Sequence, residues 1–194
     1  KDGLNRFDKK TETFTHFGPE QGIGQRVNQL KIISDGTLVI ASNIGVTRIK
    51  NQGDTLAFIP FNPNQNFYST YDILETRSKD LYIAPDNGVI QKLDTSTQKF
   101  EDIHYKRIPE LSSNYRKHII EDKNGLLWIT ASYHGLCSYD PLTRSSEIYT
   151  AEDNKLSTNV LMGSMELDRD GNIWLCTEED GLNIFNIETK TYHH

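Results

Sequence analysis

Cysteine is nearly absent: Cys137 and Cys176 are the only two in 194 residues. That is too few for a disulfide scaffold, and neither belongs to a Cys-x-x-Cys pair. No apolar run approaches the roughly 18 residues needed to cross a bilayer as a helix. An excess of basic charge is also missing. Lys and Arg number 21 against 27 Asp and Glu, giving a net charge of -6 and a pI near 5.5, the wrong sign for a chain that neutralises phosphates, so nucleic acid is not an expected partner. His118 and His134 stand without a Cys, Asp or second His at metal-ligand spacing, and neither a metal nor a cofactor is expected. What is present is 36% hydrophobic and 25% charged residues with a mean hydropathy of -0.60, the composition of a globular chain of one domain. The chain opens at Lys1 without an initiator Met or signal peptide, so it is expected to be a processed or excised piece of something longer.

The dominant feature is an internal repeat. Asp122-Lys-Asn-Gly-Leu-Leu-Trp128-Ile-Thr130 recurs as Asp168-Arg-Asp-Gly-Asn-Ile-Trp174-Leu-Cys-Thr177, the tryptophans 46 residues apart. Weaker copies lie upstream at Ser34 to Ser42 and Ser78 to Pro85, with Val39 and Tyr82 in the tryptophan position. A second motif follows each copy, beginning at Gly45, Gly88, Gly135 and Gly181, and stands alone at the start as Gly3-Leu-Asn-Arg-Phe-Asp8. These glycines are spaced 42, 43, 47 and 46 residues apart. A third motif precedes each copy, clearest as Leu111-Ser-Ser-Asn-Tyr115 and Leu156-Ser-Thr-Asn-Val160.

Each unit reads as four short strands without helical periodicity. In the third unit they are 115–120, 126–130, 136–139 and 147–149, the first two joined by an Asn-Gly turn suited to a tight hairpin. Such units are the signature of β-propeller blades, which bury their faces only against neighbours. The expected fold is all-β: a propeller arc of about four and a half four-stranded antiparallel blades in one domain, 1–194. It divides into a half blade at 1–20 and blades at about 21–64, 65–108, 109–153 and 154–194. Nothing in the sequence supplies the first two strands of the leading half blade. The arc is therefore expected either to be cut from a larger propeller or to self-associate through its open ends.

The Leu-Ser-x-Asn-x-Val, Asp-x-x-Gly-x-x-Trp-x-x-Thr and Gly-Leu-x-x-Tyr/Phe-Asp/Asn motifs together resemble the two-component regulator propeller repeat. The resemblance covers essentially the whole chain and is weakest in the first two units. It implies a fragment of a seven-bladed propeller in the periplasmic sensor region of a hybrid histidine kinase and response regulator. Such regions recognise oligosaccharides and signal through a membrane helix to kinase and DNA-binding domains that this chain lacks.

Trp128 and Trp174 have rings able to stack on a pyranose, but both fall mid-strand at one repeat position. They are read, with Gly3, Gly45, Gly88, Gly135 and Gly181, as structural, filling the wedge between sheets. Asp168-Arg-Asp-Gly171 is read as turn chemistry rather than a calcium loop, since it has no downstream Glu at the required spacing. Cys137 and Cys176 are expected as two buried free thiols. The candidate site lies on the loops joining successive units and those joining second to third strands, which emerge on one propeller face. There Asn66, Phe67, Tyr68, Asn114, Arg116, Tyr133 and His134 combine amide and guanidinium groups that bond hydroxyl pairs with rings that stack. The expected partner is an oligosaccharide or a neighbouring propeller. The alternatives are a protein-interaction propeller or a carbohydrate-active hydrolase or lyase, for which Asp72, Glu121 and Asp122 are the nominated acids.

Overall fold

The computed structural model describes residues 3–52, 55–61, 68–87, 89–103, 117–131, 135–153, 156–161, 164–178 and 180–194. A hairpin of β1 (Leu4–Asp8) and β2 (Thr13–Phe17) is followed by a 3-10 turn at Pro19–Gln21. Four antiparallel sheets come next. Blade I holds β3 (Val27–Ile32), β4 (Leu38–Ser42), β5 (Gly45–Gln52) and β6 (Thr55–Pro60). Blade II holds β7 (Thr70–Glu75), β8 (Leu81–Pro85), β9 (Gln91–Asp94) and β10 (Lys99–Asp102). Blade III holds β11 (Ile119–Glu121), β12 (Leu127–Ala131), β13 (Gly135–Tyr139) and β14 (Ser146–Tyr149). Blade IV holds β15 (Met165–Leu167), β16 (Asn172–Cys176), β17 (Leu182–Asn186) and β18 (Thr191–His193). Strands pair in chain order within each blade. Between blades, β3 meets β7, β7 meets β11 and β11 meets β15, so first strands line the inside of the arc as in a propeller.

Alternation along each second strand divides its side chains between two neighbours. On β12, Leu127 and Ile129 join Leu74, Tyr82 and Ala84 of blade II, while Trp128 joins Met165, Ile173, Leu175 and Phe185 of blade IV. Val39 and Ala41 likewise meet Ile73, Leu81 and Ile83 of blade II, whereas Ile40 meets Leu4 and Phe17 of the hairpin. One apolar core therefore lies between every successive pair of sheets.

The repeat motif has a specific physical basis. Asp122 Oδ1 accepts the backbone N–H of Asn124 (2.8 Å) and Leu126 (3.1 Å), closing the turn, while its Oδ2 accepts the Trp128 indole N–H at 2.9 Å. Asp168 repeats the arrangement with Asp170, Asn172 and Trp174, again at 2.9 Å to the indole. One carboxylate thus ties the turn to the large ring six residues later. Its glycine, Gly125 or Gly171, lies in the left-handed region at φ +87° or +86°, the conformation the turn requires. Two of the glycines that open a third strand have a different cause, whereas at Gly181, where a Cβ would meet nothing within 4 Å, only the left-handed φ of +67° calls for glycine. At Gly3 and Gly135 a Cβ would stand 2.3 Å from the Phe17 carbonyl oxygen and 2.2 Å from that of Tyr149, so only glycine lets the fourth strand approach.

A turn between third and fourth strands also recurs. Asp8, Asp94, Asp140 and Asn186 each accept the backbone N–H groups two and three residues on, for example Leu142 at 2.8 Å and Thr143 at 3.4 Å. The fourth residue after each, Glu12, Gln98, Arg144 or Lys190, is left-handed. The signal is plain in the sequence as Asp/Asn-x-x-Thr, beginning at the residue that ends each Gly-opened motif.

Two expectations are corrected at the end of the arc. Trp128 is fully buried, but Trp174 is 37% exposed, because among the described residues no further sheet packs on the face of β16 that carries it. Cys176, two residues along on the same face, is exposed for the same reason, whereas Cys137 is buried; both are free thiols. The first strand of blade III is also shorter than its sequence reading, Ile119–Glu121, with residues 115 and 116 outside the described residues. At the other end β1 is paired on one side only. Beside it lies a groove of about 910 Å³ lined by Leu4, Phe17, Leu30, Leu38, Ile49 and Leu56 among others.

Candidate ligand-binding face

The first strands of neighbouring blades are clasped by side chains. Gln29 Oε1 accepts the backbone N–H of Ile73 in blade II. One blade further, Asp72 Oδ2 accepts the backbone N–H of Ile119 at 2.9 Å, while its Oδ1 receives Ile73 N–H at 2.8 Å. His118 Nδ1 stands 3.4 Å from the same Asp72 Oδ2. Gln29 and Asp72 hold the same register, opposite Ala41 and Ala84, each just after a break in pairing at Asn28 and Tyr71. The bulge frees Asn28 to donate from Nδ2 to the Thr70 carbonyl at 2.7 Å and to Ser69 Oγ at 3.4 Å, which fixes the loop carrying Tyr68.

Above these clasps lies a charged rim. The backbones of Arg26 and Asn43 are tied together: Arg26 N–H donates to Asn43 Oδ1 and Asn43 N–H to the Arg26 carbonyl, both at 2.9 Å. Asp86 N–H donates to the Ser69 carbonyl at 2.8 Å, so the loop after β8 is pinned to the loop before β7. Lys117, at the start of blade III, is 1% exposed. Burial pushes its ammonium down to about 8, against the pull of the Asp86 charge. Burial raises the Asp86 carboxyl, against Lys117 and Arg26. Desolvating a charged group disfavours its ionised form, so the rim holds two groups that are poorly hydrated and balance each other.

Of the residues named from sequence, Tyr68 is described. It sits at this rim with 43% of its surface exposed, its carbonyl accepting Thr70 Oγ1 at 3.5 Å. Asn66, Phe67, Asn114, Arg116, Tyr133, His134 and Gly88 lie outside the described residues. Sequence reading did not single out Arg26, Asp86 or Lys117; the loop position of Asp86 and the place of Lys117 beside Arg116 were the available signals. Asn159, the counterpart of Asn114 in the last unit, is committed within the chain: its Oδ1 accepts Ala151 N–H at 2.8 Å and its Nδ2 donates to Glu152.

The nominated acids all have structural work. Asp72 clasps blade III. Glu121 Oε2 accepts the Arg77 backbone N–H at 2.8 Å and pairs with its guanidinium at 3.4 Å. Asp122 holds its turn and Trp128. Among the described residues no three His, Cys, Asp or Glu side chains group as metal ligands, and no helix is long and apolar enough to cross a membrane.

No family model and no curated protein sequence matches the chain. Solved structures do. The extracellular domain of the hybrid two-component system BT4673 from B. thetaiotaomicron matches with TM-score 0.73 and 23% identity over 87% of this chain and 24% of that one. That of BT3049 from the same organism matches with TM-score 0.68 and 17% identity over 100% and 25%. Virginiamycin B lyase from Staphylococcus aureus matches with TM-score 0.70 and 14% identity over 99% and 62%. The chain spans about a quarter of the length of the two sensor domains. Its repeats are built and stacked as theirs are: the chain has the β-propeller fold found in the extracellular domains of hybrid two-component systems.

Proposed function

We propose that this chain is part of the extracytoplasmic, ligand-recognising propeller of a hybrid two-component regulator, and that it lends its loop face to recognition of an oligosaccharide. The observation that carries the reading is its structural likeness to two hybrid two-component extracellular domains. The repeat grammar of the sequence supports it independently. The rim of Arg26, Tyr68, Asp86 and Lys117, with Asn66, Phe67, Asn114, Arg116, Tyr133 and His134 on the same connecting loops, offers stacking rings and paired hydrogen-bond groups on a rigid scaffold. In this reading the blades 21–64, 65–108, 109–153 and 154–194 belong to a larger, seven-bladed propeller on the periplasmic face of a bacterial inner membrane. The kinase, phosphorelay and transcriptional output belong to other domains of the same polypeptide.

Calorimetry with a panel of plant and host oligosaccharides tests this. Little or no heat is expected from the 194-residue chain, because loops of the remaining blades are needed to offset the association entropy, and measurable binding is expected from the complete ectodomain. Tyr68→Ala, Tyr133→Ala and Arg116→Ala in that ectodomain should weaken binding without changing its melting temperature. Indifference to all three would remove the site from this face.

A second reading is a carbohydrate-active propeller enzyme; that the fold can carry catalysis is seen in virginiamycin B lyase, which shares it. Release of new reducing ends or unsaturated products from the same panel, abolished by Asp72→Asn, would establish it in place of the sensor.

A further inference from the structure

Blades I and II carry a cation at the same repeat position but neutralise it differently. Arg48 on β5 lies opposite Val39, and Lys92 on β9 opposite Tyr82, the two residues that fill the tryptophan position. Two residues before these stand Thr37 and Asp80, whose carbonyls accept the N–H groups of Ile33 and Thr76 at 3.0 and 2.9 Å in equivalent turns. In blade II the Asp80 carboxylate pairs with the Lys92 ammonium at 2.9 Å. In blade I the threonine offers Arg48 no charge. Arg48 lines a cleft of about 320 Å³ between the two blades, its guanidinium carbon 4.8 Å above the Phe61 ring. One terminal nitrogen donates to Gln98 Oε1 at 2.7 Å, and Gln98 is itself held by its Nε2 donating to the Thr95 carbonyl at 2.8 Å. The Arg48 Nε–H is buried without an acceptor, so among the described residues the guanidinium has one neutral partner. The acids of the cleft are committed: Glu75 accepts the Ser34 N–H at 2.8 and 3.1 Å and its hydroxyl at 2.6 Å, and Asp35 accepts the Thr37 N–H at 2.8 Å. Lys50 and Lys79 add two further cations to the lining.

We propose that this cleft binds a small hydroxylated carboxylate of the sugar-acid class, its carboxylate taking at Arg48 the place that Asp80 takes at Lys92. A buried N–H without an acceptor is costly, and a planar carboxylate matches the guanidinium fork. The volume exceeds what a bare ion fills and lies at the lower end of small-molecule sites, while the Thr37 and Thr95 side chains in the lining supply hydroxyls for those of the ligand. Both walls are complete four-stranded blades, so the cleft is not an end of the arc. Its turns join first to second and third to fourth strands, on the face opposite the loops of the recognition site proposed above, and the inference does not rest on that reading.

Titrating the ¹⁵N-labelled 194-residue chain with sodium glucuronate, followed by NMR at the Arg48 Nε–Hε and the Thr37 and Thr95 amides, tests this. A ligand of that size is held at about millimolar strength, which shifts resonances saturably while staying below the heats sought from oligosaccharides. Glucose, which lacks the carboxylate, and sulfate, which lacks the hydroxyls, should each bind about tenfold more weakly or less. Arg48→Met should weaken glucuronate about tenfold or more, the loss expected for charged hydrogen bonds, whereas Lys92→Met in the neighbouring blade should leave it unchanged. The decisive variant is Thr37→Asp, which installs the carboxylate that blade II already has. It should pair with Arg48 and abolish glucuronate binding, with amide resonances outside the cleft unmoved to show that the fold is kept. No saturable shift at tens of millimolar glucuronate, binding that survives Arg48→Met or Thr37→Asp, or equal binding of glucose or sulfate would each overturn the proposal.

Discussion

Trp128 and Trp174 occupy the same repeat position, end the same Asp-x-x-Gly-x-x-Trp motif and each donate their indole N–H at 2.9 Å to the Oδ2 of their own motif aspartate, Asp122 or Asp168. Yet one is fully buried and the other more than a third exposed. The comparison separates two jobs that the motif combines. Its Asp, Gly and Trp shape the turn and aim the ring using contacts local to the chain. The next sheet completes the burial: Phe185 at 5.5 Å and the Lys190 ammonium 4.8 Å above the ring close the cage that Tyr149 of the same blade, stacked at 5.5 Å, begins around Trp128.

The largest expected effect is therefore a split between two identical substitutions. Trp128→Ala removes a caged ring and should cost about 3–5 kcal/mol. Trp174→Ala removes a ring with one face in water and should cost about 1 kcal/mol, within the ordinary range for part-exposed positions. Urea unfolding of both variants measures this, and equal losses would show that the ring matters through its indole hydrogen bond alone.

Next in size is the carboxylate. Asp122 is 1% exposed, so Asp122→Ala leaves the turn amides and the indole N–H with no acceptor in a dry site, a loss of about 2–3 kcal/mol. At Asp168 the two turn amides and the donors of Asn172 and Trp174 hold the carboxyl down at about 2, below its ordinary 3.8. Because the folded value is the lower one, its contribution is complete above about pH 4 and is lost as the pH falls toward 2. Acid titration followed by Trp174 fluorescence should show that loss in the wild type and not in Asp168→Ala.

Lys117 has the opposite sign in the alkaline range. Its folded value, about 8, lies below its ordinary 10.5, so the unfolded chain binds more protons between those limits and the Lys117 contribution rises with pH there. Buried Cys137 works against it, since its thiol is pushed up to about 12 and favours the fold most at pH below 9. Comparing wild type with Lys117→Met from pH 7 to 10.5 cancels the thiol and isolates the lysine. The difference in stability should shift toward the wild type as pH rises, and a flat difference would mean that Lys117 is not desolvated at the rim.

Most of the architecture was legible because each blade repeats it. A period near 45, a glycine before each third strand and a large residue mid-strand are local signals, and each has a local cause in the Gly135 approach to Tyr149 and the Asp122 turn. What could not be read depends on how separate strands and sheets meet. The Gln29 and Asp72 clasps require bulges at Asn28 and Tyr71, and a bulge is set by how two strands meet, not by either alone. Lys117 gave no sign of burial in sequence, since a lysine beginning a strand is usually solvated. The exposure of Trp174 was equally hidden: its motif is that of Trp128, and only the neighbouring sheet differs.

The smallest effect sharpens the same contrast chemically. Cys137 and Cys176 both lie in strands, but Cys137 is enclosed between blades II and III with its thiol raised to about 12 by burial. Cys176 shares the open face of β16 with Trp174. Alkylation proceeds through the thiolate and needs access, so iodoacetamide at neutral pH in dilute solution should label Cys176 and leave Cys137 unmodified until the protein unfolds. Labelling of Cys137 at a comparable rate in the native state would mean that the core between blades II and III opens, and that this inner junction and the open face of β16 differ less in solution than their burial indicates.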